Sequence, residues 1–325
     1  MKRVGVVGCG LIGRKRADAF RRLGHELAWC HDRDPAAATS LKADHEGASA
    51  FASLDEALER GDADLVVVAV DHASLVPVAS AAGAAGHDVL VEKPGAVGLG
   101  QILKLAEVTV ASGRTVRVGY NHRFHPSLLE ARKVVREGNF GPVLHVRARY
   151  GHGGRVGYES EWRAKRSLSG GGELVDQGVH LIDLTRFLCG DAGLAFAELR
   201  TDYWAMDVED NVFLALRCDS GAFAWLHASW TEWKNLFSFE VVMERAKIEI
   251  TGLGGSYGVE RYVFHEMLPE MGPPVTTTRE WPPGDRSWDL EVEDVLAACA
   301  GRETIGASLE DAVAIWRIVE EANRR

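Results

Sequence analysis

The sequence predicts an α/β fold in two parts: a doubly wound parallel sheet at the N-terminus, then an α+β domain with a mostly antiparallel open sheet. Three observations predict it. Up to about residue 119 short apolar runs alternate with longer helical stretches, as in a parallel sheet covered on both faces. A glycine-rich GCGLIG follows the first run, and beyond residue 120 the texture changes to β-rich runs separated by Gly, Asp and Ser turns. The division expected is therefore 1–119 and 120–325.

In chain order, the first-half strands are predicted at 3–7, 26–30, 65–70, 89–91 and 115–118. The run LVVVAV is continuously apolar, as a strand buried on both faces should be. Helices are predicted near 12–23, 35–46, 53–60, 73–85 and 98–112, the second opened by Asp34-Pro35, a cap followed by proline. The second half offers strands at 143–150, 212–217, 222–230, 237–243 and 247–250, one strong helix near 171–189, and closing helices near 289–300 and 308–323. Residues 266–288, rich in Pro and Gly, read as an ordered loop.

Bulk properties narrow the function. A length of 325 residues with 46% hydrophobic content supports about two domain cores. A net charge of -10 and a pI of 5.7 argue against nucleic acid as partner, because phosphate-backbone binding needs a basic stripe. The five cysteines are scattered without a CxxC pair, which favours a reducing cytoplasm over a disulfide framework or zinc knuckle. The opening residues read as a strand and turn rather than a secretory signal, and no apolar stretch reaches the ~18 residues that span a bilayer.

GCGLIG places Gly8, Gly10 and Gly13 after a strand and at the mouth of a helix, with Leu11 and Ile12 in its first turn. Backbone without side chains approaches a pyrophosphate closely, and the free NH groups of the helix start favour the anion. The context is that of a Rossmann dinucleotide site; the bland alternative is a tight turn without ligand. Asp32, at the end of the second strand, stands about 20 residues beyond Gly13, where an acid accepts from adenosine ribose hydroxyls and favours NAD. Arg33 beside it suits a 2′-phosphate and leaves NADP open, while Asp34 competes with Asp32 for the same role.

VLVEKPG sets Glu92, Lys93 and Pro94 at the carboxyl end of a parallel strand, where ligands of open α/β sheets sit. Lys93 is a candidate reactive group, against the alternative of a solvated turn lysine, and Lys93–Pro94 is a candidate cis bond. On the helix containing GGGELVDQGVHLIDL, a 100° wheel gathers Asp176, His180 and Asp183 opposite Leu174, Val175, Leu181 and Ile182. His180 exchanges a proton near neutral pH, and Asp176 orients the ring or accepts from a substrate. A solvated helix face is one alternative. A metal site is the other, but no His/Cys cluster supplies further ligands, so no metal is expected.

The motifs GCGLIG, DRDP, EKPG, GYNHRFHP and GGGELVDQGVHLIDL occur in the order of the Gfo/Idh/MocA family, that of glucose-fructose oxidoreductase and inositol dehydrogenase, which the chain resembles along nearly its whole length. The resemblance implies an NAD(P)-dependent oxidoreductase with Lys93, Asp176 and His180 as catalytic trio. It also implies a C-terminal sheet that mediates homodimers or homotetramers, and a domain-crossing segment whose Tyr120, Asn121 and Arg123 line the substrate cleft. His122, a second titratable ring in that segment, departs from the pattern. The implied substrates are sugars, sugar nucleotides or cyclitols. Arg155, Tyr158, Trp162 and Arg163 upstream of the helix, and Trp233 further on, offer stacking faces and charged tips to such a ligand, with core packing as the alternative for each tryptophan. The rivals are a redox-silent dinucleotide-binding regulator and an NAD-containing sugar lyase or hydrolase.

Overall fold

A computed structural model describes residues 1–282 and 284–325. In chain order its elements are β1 (Arg3–Val7), α1 (Leu11–Arg22), β2 (Glu26–His31), α2 (Pro35–Ala43), β3 (Ser49–Phe51), α3 (Leu54–Arg60), β4 (Leu65–Val68), α4 (His72–Ala84), β5 (Asp88–Glu92), α5 (Leu99–Ser112) and β6 (Val116–Gly119). There follow α6 (Pro126–Glu137), β7 (Val143–Gly151), α7 (Arg166–Ser169), a π-helical turn at Leu174–Gly178, α8 (Val179–Cys189), β8 (Ala192–Arg200), β9 (Asn211–Cys218) and β10 (Phe223–Ser229). The chain closes with β11 (Leu236–Met243), β12 (Ala246–Thr251), β13 (Arg261–Glu266), β14 (Val275–Glu280), α9 (Ser287–Cys299) and α10 (Leu309–Asn323).

Two compact units emerge: Met1–Asn121 with Trp288–Trp316, and His122–Ser287 with Arg317–Arg325. In the first, six parallel strands run β3-β2-β1-β4-β5-β6, so the chain reverses its lateral direction between β1 and β4. Such a switch point leaves a crevice at the carboxyl ends of the strands, where dinucleotides bind. Helix starts are fixed locally: Asp34 accepts from the Ala36 amide, Ser53 from Glu56 and Asp71 from Ser74.

The return of residues 288–316 to this unit corrects the expected division at 119, which gave them to the second domain. The reason is burial: Trp288, Val292 and Val295 pack with Val4, Val6, Phe20 and Leu90. The Arg16 guanidinium, fully buried, reaches both Glu92 and Glu291 at 2.5 Å and lies over the Trp288 ring.

The second unit is built on the sheet β14-β13-β12-β11-β7-β10-β9-β8, antiparallel except where β10 joins β7. One face alternates inward Val146, Ala148, Phe237, Phe239, Val241 and Ile248, and the other carries ion pairs such as Arg147–Glu240 at 2.6 Å. The loop expected over 266–288 holds an exposed strand, β14, paired to β13; position 283 of that stretch lies outside the described residues. Its TTT run has β propensity but no buried face, so no hydrophobic alternation announces it. Among the described residues no helix is long and apolar enough to cross a membrane.

Candidate active site

The glycine loop of the first unit is shaped from inside. Gly8 has φ +92°, and a Cβ there would stand 2.3 Å from the Ala69 carbonyl oxygen. A Cβ on Gly13 would stand 1.9 Å from the Gly8 oxygen, so both glycines are required by close packing of the turn itself. Gly10 is different: it is the N-cap of α1 with no side-chain cap, and a Cβ there meets nothing within 4 Å. Open space in front of an uncapped helix start, with exposed Leu11 and half-buried Ile12 behind it, fits the pyrophosphate of a dinucleotide.

Asp32 ties this loop to the end of β2. One carboxylate oxygen accepts the Cys9 amide at 2.6 Å and the other the Asp34 amide at 2.8 Å. A carboxylate offers about four acceptor directions, so lone pairs remain for ribose hydroxyls. Asp34 is committed to capping α2. The Arg33 side chain is largely exposed, 3.4 Å from Asp71.

At the end of β5, Glu92 is committed to Arg16 rather than turned toward a ligand. Burial pushes the Glu291 carboxyl up to about 7; Arg16 opposes that rise and Glu92 adds to it. Half-buried Lys93 begins a turn that contains a cis Lys93–Pro94 bond and Gly95 at φ +81°. The Trp316 indole donates to the Pro94 carbonyl at 2.8 Å, anchoring this turn through α10, a contact 222 residues away in sequence and invisible to motif reading.

The second unit holds a separate titratable cluster around the π turn and α8. The GGG preceding it is sterically necessary, since a Cβ on Gly172 would lie 1.9 Å from the Glu209 carbonyl oxygen. The buried Glu209 carboxylate accepts the Gly172 amide at 2.8 Å and the Leu174 amide at 3.2 Å; burial raises its pKa, against the pull of Arg166 and these amides. The π turn invalidates the 100° wheel, because bonding there widens to i→i+5. Asp176 stays partly accessible, 3.8 Å from the Arg163 Nε, whereas Asp183 is fully buried in a fork with Arg123, at 2.6 Å for its shortest contact.

His180 sits on α8 with 4% exposure, its ring stacked on His122 at 3.9 Å between centroids. The His122 Nε2 lies 3.0 Å from the Tyr150 hydroxyl. Burial pushes the Tyr150 phenol well above its ordinary pKa, with Tyr257 and Asp176 adding to it, so the phenol remains a proton carrier. Tyr257 in turn accepts from the Gln177 amide at 3.0 Å. Glu209, Tyr150 and Tyr257 were not singled out by sequence reasoning: they stand far from the helix in the chain, and only the fold brings them to it.

The other residues expected to contact a ligand have varied surroundings. Arg123 is buried against Asp183 and Phe187, and Tyr120 is fully buried. Asn121, at the end of the first unit, is buried too. Tyr158 is part of an aromatic core, edge-on to the buried Trp230 at 5.0 Å. Arg155 pairs with Glu161 at 2.7 Å, and Arg163 lies over the Trp162 ring at 4.5 Å. Trp233 is exposed at φ +58° and meets Tyr203 edge-on at 4.7 Å. Among the described residues no group of three or more His, Cys, Asp or Glu is arranged to hold a metal ion.

Comparison with known proteins gives the lineage. The family model described as the oxidoreductase family with an NAD-binding Rossmann fold, GFO_IDH_MocA, matches residues 2–120, and the GFO/IDH/MocA C-terminal domain matches residues 128–249. Inositol 2-dehydrogenase 2 of Saccharopolyspora erythraea is 31% identical over 227 residues, 67% of this chain and 63% of that protein. A putative UDP-kanosamine synthase oxidoreductase subunit of Amycolatopsis mediterranei is 31% identical over 250 residues, 70% of this chain and 68% of that one. The chain spans 63%, 54% and 47% of three such curated relatives, below two thirds of their length. The crystal structure of GenD2 from gentamicin A biosynthesis, in complex with NAD, superposes with a TM-score of 0.84 at 26% identity, over 99% of this chain and 93% of that one. The protein described here thus belongs to the Gfo/Idh/MocA family of NAD-binding oxidoreductases.

Proposed function

We propose that this chain oxidises a carbinol carbon of a sugar, sugar nucleotide or cyclitol, or reduces the corresponding ketone, with NAD as cofactor. The observation that carries the reading is the open, uncapped helix start at Gly10, shaped for a dinucleotide, in a chain whose second unit presents the buried His180 and the accessible Asp176. When bound, NAD would supply the hydride acceptor for the carbinol carbon. Gly10, Leu11 and Ile12 would hold the pyrophosphate, and Asp32 the adenosine ribose, while exposed Arg33 leaves NADP as a second cofactor. His180 takes the hydroxyl proton, and Asp176, held by Arg163, accepts from a neighbouring hydroxyl or orients the imidazole. Lys93 stabilises negative charge on the reacting oxygen through its ammonium.

Names of relatives point to such substrates: inositol for one and UDP-kanosamine for another. Arg155, Trp162, Arg163 and Trp233 are the substrate contacts kept from the sequence expectation, since each keeps accessible surface. A cytoplasmic location fits five cysteines present as thiols. A homodimer or homotetramer through the second sheet fits the exposed Phe196 and Trp225, stacked on strands β8 and β10. The test is a cofactor-absorbance screen of sugars, cyclitols and sugar nucleotides, with NAD(H) and NADP(H) in parallel. Turnover of a member of these classes is expected. NADH binding without any turnover would favour a redox-silent regulator, and activity lost to a chelator and restored by zinc would favour a metal-dependent lyase.

A further inference from the structure

The His122–His180 stack asks for its own account. Both rings are more than nine-tenths buried, nearly coplanar at 15°, and 3.9 Å apart, close enough that their faces touch. Two imidazolium rings held face to face away from water repel strongly, so the pair resists taking a second proton. The groups around it are set by the fold. Tyr150 from β7 binds the His122 Nε2, and Asp176 and Glu173 stand on the π turn and its approach. The His125 ring meets His122 edge-on at 5.5 Å, with its Nδ1 3.0 Å from Glu260 and its Nε2 3.9 Å from Asp285. On α8 itself, Asp183 is paired to Arg123.

We propose that His122 is a positioning residue for His180, and that the two stacked imidazoles titrate as one coupled pair rather than independently. The Tyr150 hydroxyl fixes the plane of His122, and the stack passes that plane to His180. A proton resident on one ring depresses uptake by the other, so protonation of the pair follows two separated steps belonging to both rings. The coupling is a property of the geometry alone; its consequence for turnover rests on His180 being the acid/base group proposed above.

Ring-nitrogen NMR titrations of the full chain test it, comparing the unaltered protein with His122→Gln and His180→Gln. For a coupled pair, the two midpoints of the unaltered protein sum to less than the midpoints of the single remaining rings, here by about one pH unit or more, a tenfold effect. Equal sums overturn the proposal. If His122→Gln does not hold the fold by circular dichroism, His122→Phe, which keeps a flat ring in the stack, replaces it in the same sum. Once a substrate is known, the midpoint of the acid limb of the kcat/KM profile should shift in His122→Gln, where no neighbouring proton acts on His180; an identical limb counts against a role in turnover. Absence of turnover on every substrate would remove the dehydrogenase reading while the NMR sum still decides the coupling.

Discussion

Asp32 shows how one residue can serve fold and function together. Its carboxylate bridges the Cys9 and Asp34 amides, so replacing it loosens the glycine loop as well as removing the proposed ribose contact. Asp32→Ala should weaken NAD binding by roughly tenfold or more and narrow the preference over NADP, since Arg33 stands beside it. Titration calorimetry with both cofactors checks this, and an unchanged NAD affinity would count against the ribose role. Glu291 supports a different prediction. Because burial raises its folded-state pKa to about 7 from 4.5, the native state binds more protons than the unfolded chain between those values. Stability from this group is therefore present at low pH and is lost as pH rises toward 7. Glu291→Gln mimics the protonated form, while Arg16 keeps Glu92 as partner. The melting temperature of the unaltered protein relative to the variant should fall from pH 5 to pH 8, by an amount reflecting about 3 kcal/mol at most; a constant difference would remove the assignment.

At the level of elements, the β1–loop–α1 unit separates two kinds of glycine. Gly13→Ala forces a Cβ to within 1.9 Å of the Gly8 oxygen and should lower stability by about 1–3 kcal/mol, seen as a lower melting temperature. Gly10→Ala meets open space at a negative φ, so the fold should persist while NAD binding weakens at least about tenfold. Equal effects of both substitutions on melting, or intact binding in Gly10→Ala, would contradict the pyrophosphate cradle. The parallel strands were legible because a strand buried on both faces reads as an unbroken apolar run, and LVVV in β4 is such a run. Exposed β14 has no such pattern. The π turn hides for another reason: periodicity reports a mean angle per residue, and one widened turn shifts Asp176 relative to His180 and Asp183, while Asp183 is buried as the partner of Arg123.

For the whole molecule, the motif order was readable but the return of the C-terminal segment to the first unit was not. That return depends on long-range contacts: Arg16 with Glu291, Trp316 with Pro94, and Trp288 in the core around Phe20. A fragment of residues 1–121 lacks all three and leaves the Arg16 guanidinium short of a buried partner, so it should not unfold cooperatively; a sharp melting transition in that fragment would show that the segment is dispensable. The Glu209, Tyr150 and His122 surroundings of α8 were likewise hidden, since residues far apart in the chain meet only after folding. What remains central is His180 as the proton-exchanging group of a dehydrogenase. The direct measurement is turnover of His180→Ala on the best substrate beside its affinity for NADH. A loss of about 100-fold or more in kcat with cofactor affinity nearly intact is predicted, and unchanged turnover would contradict the role assigned to His180.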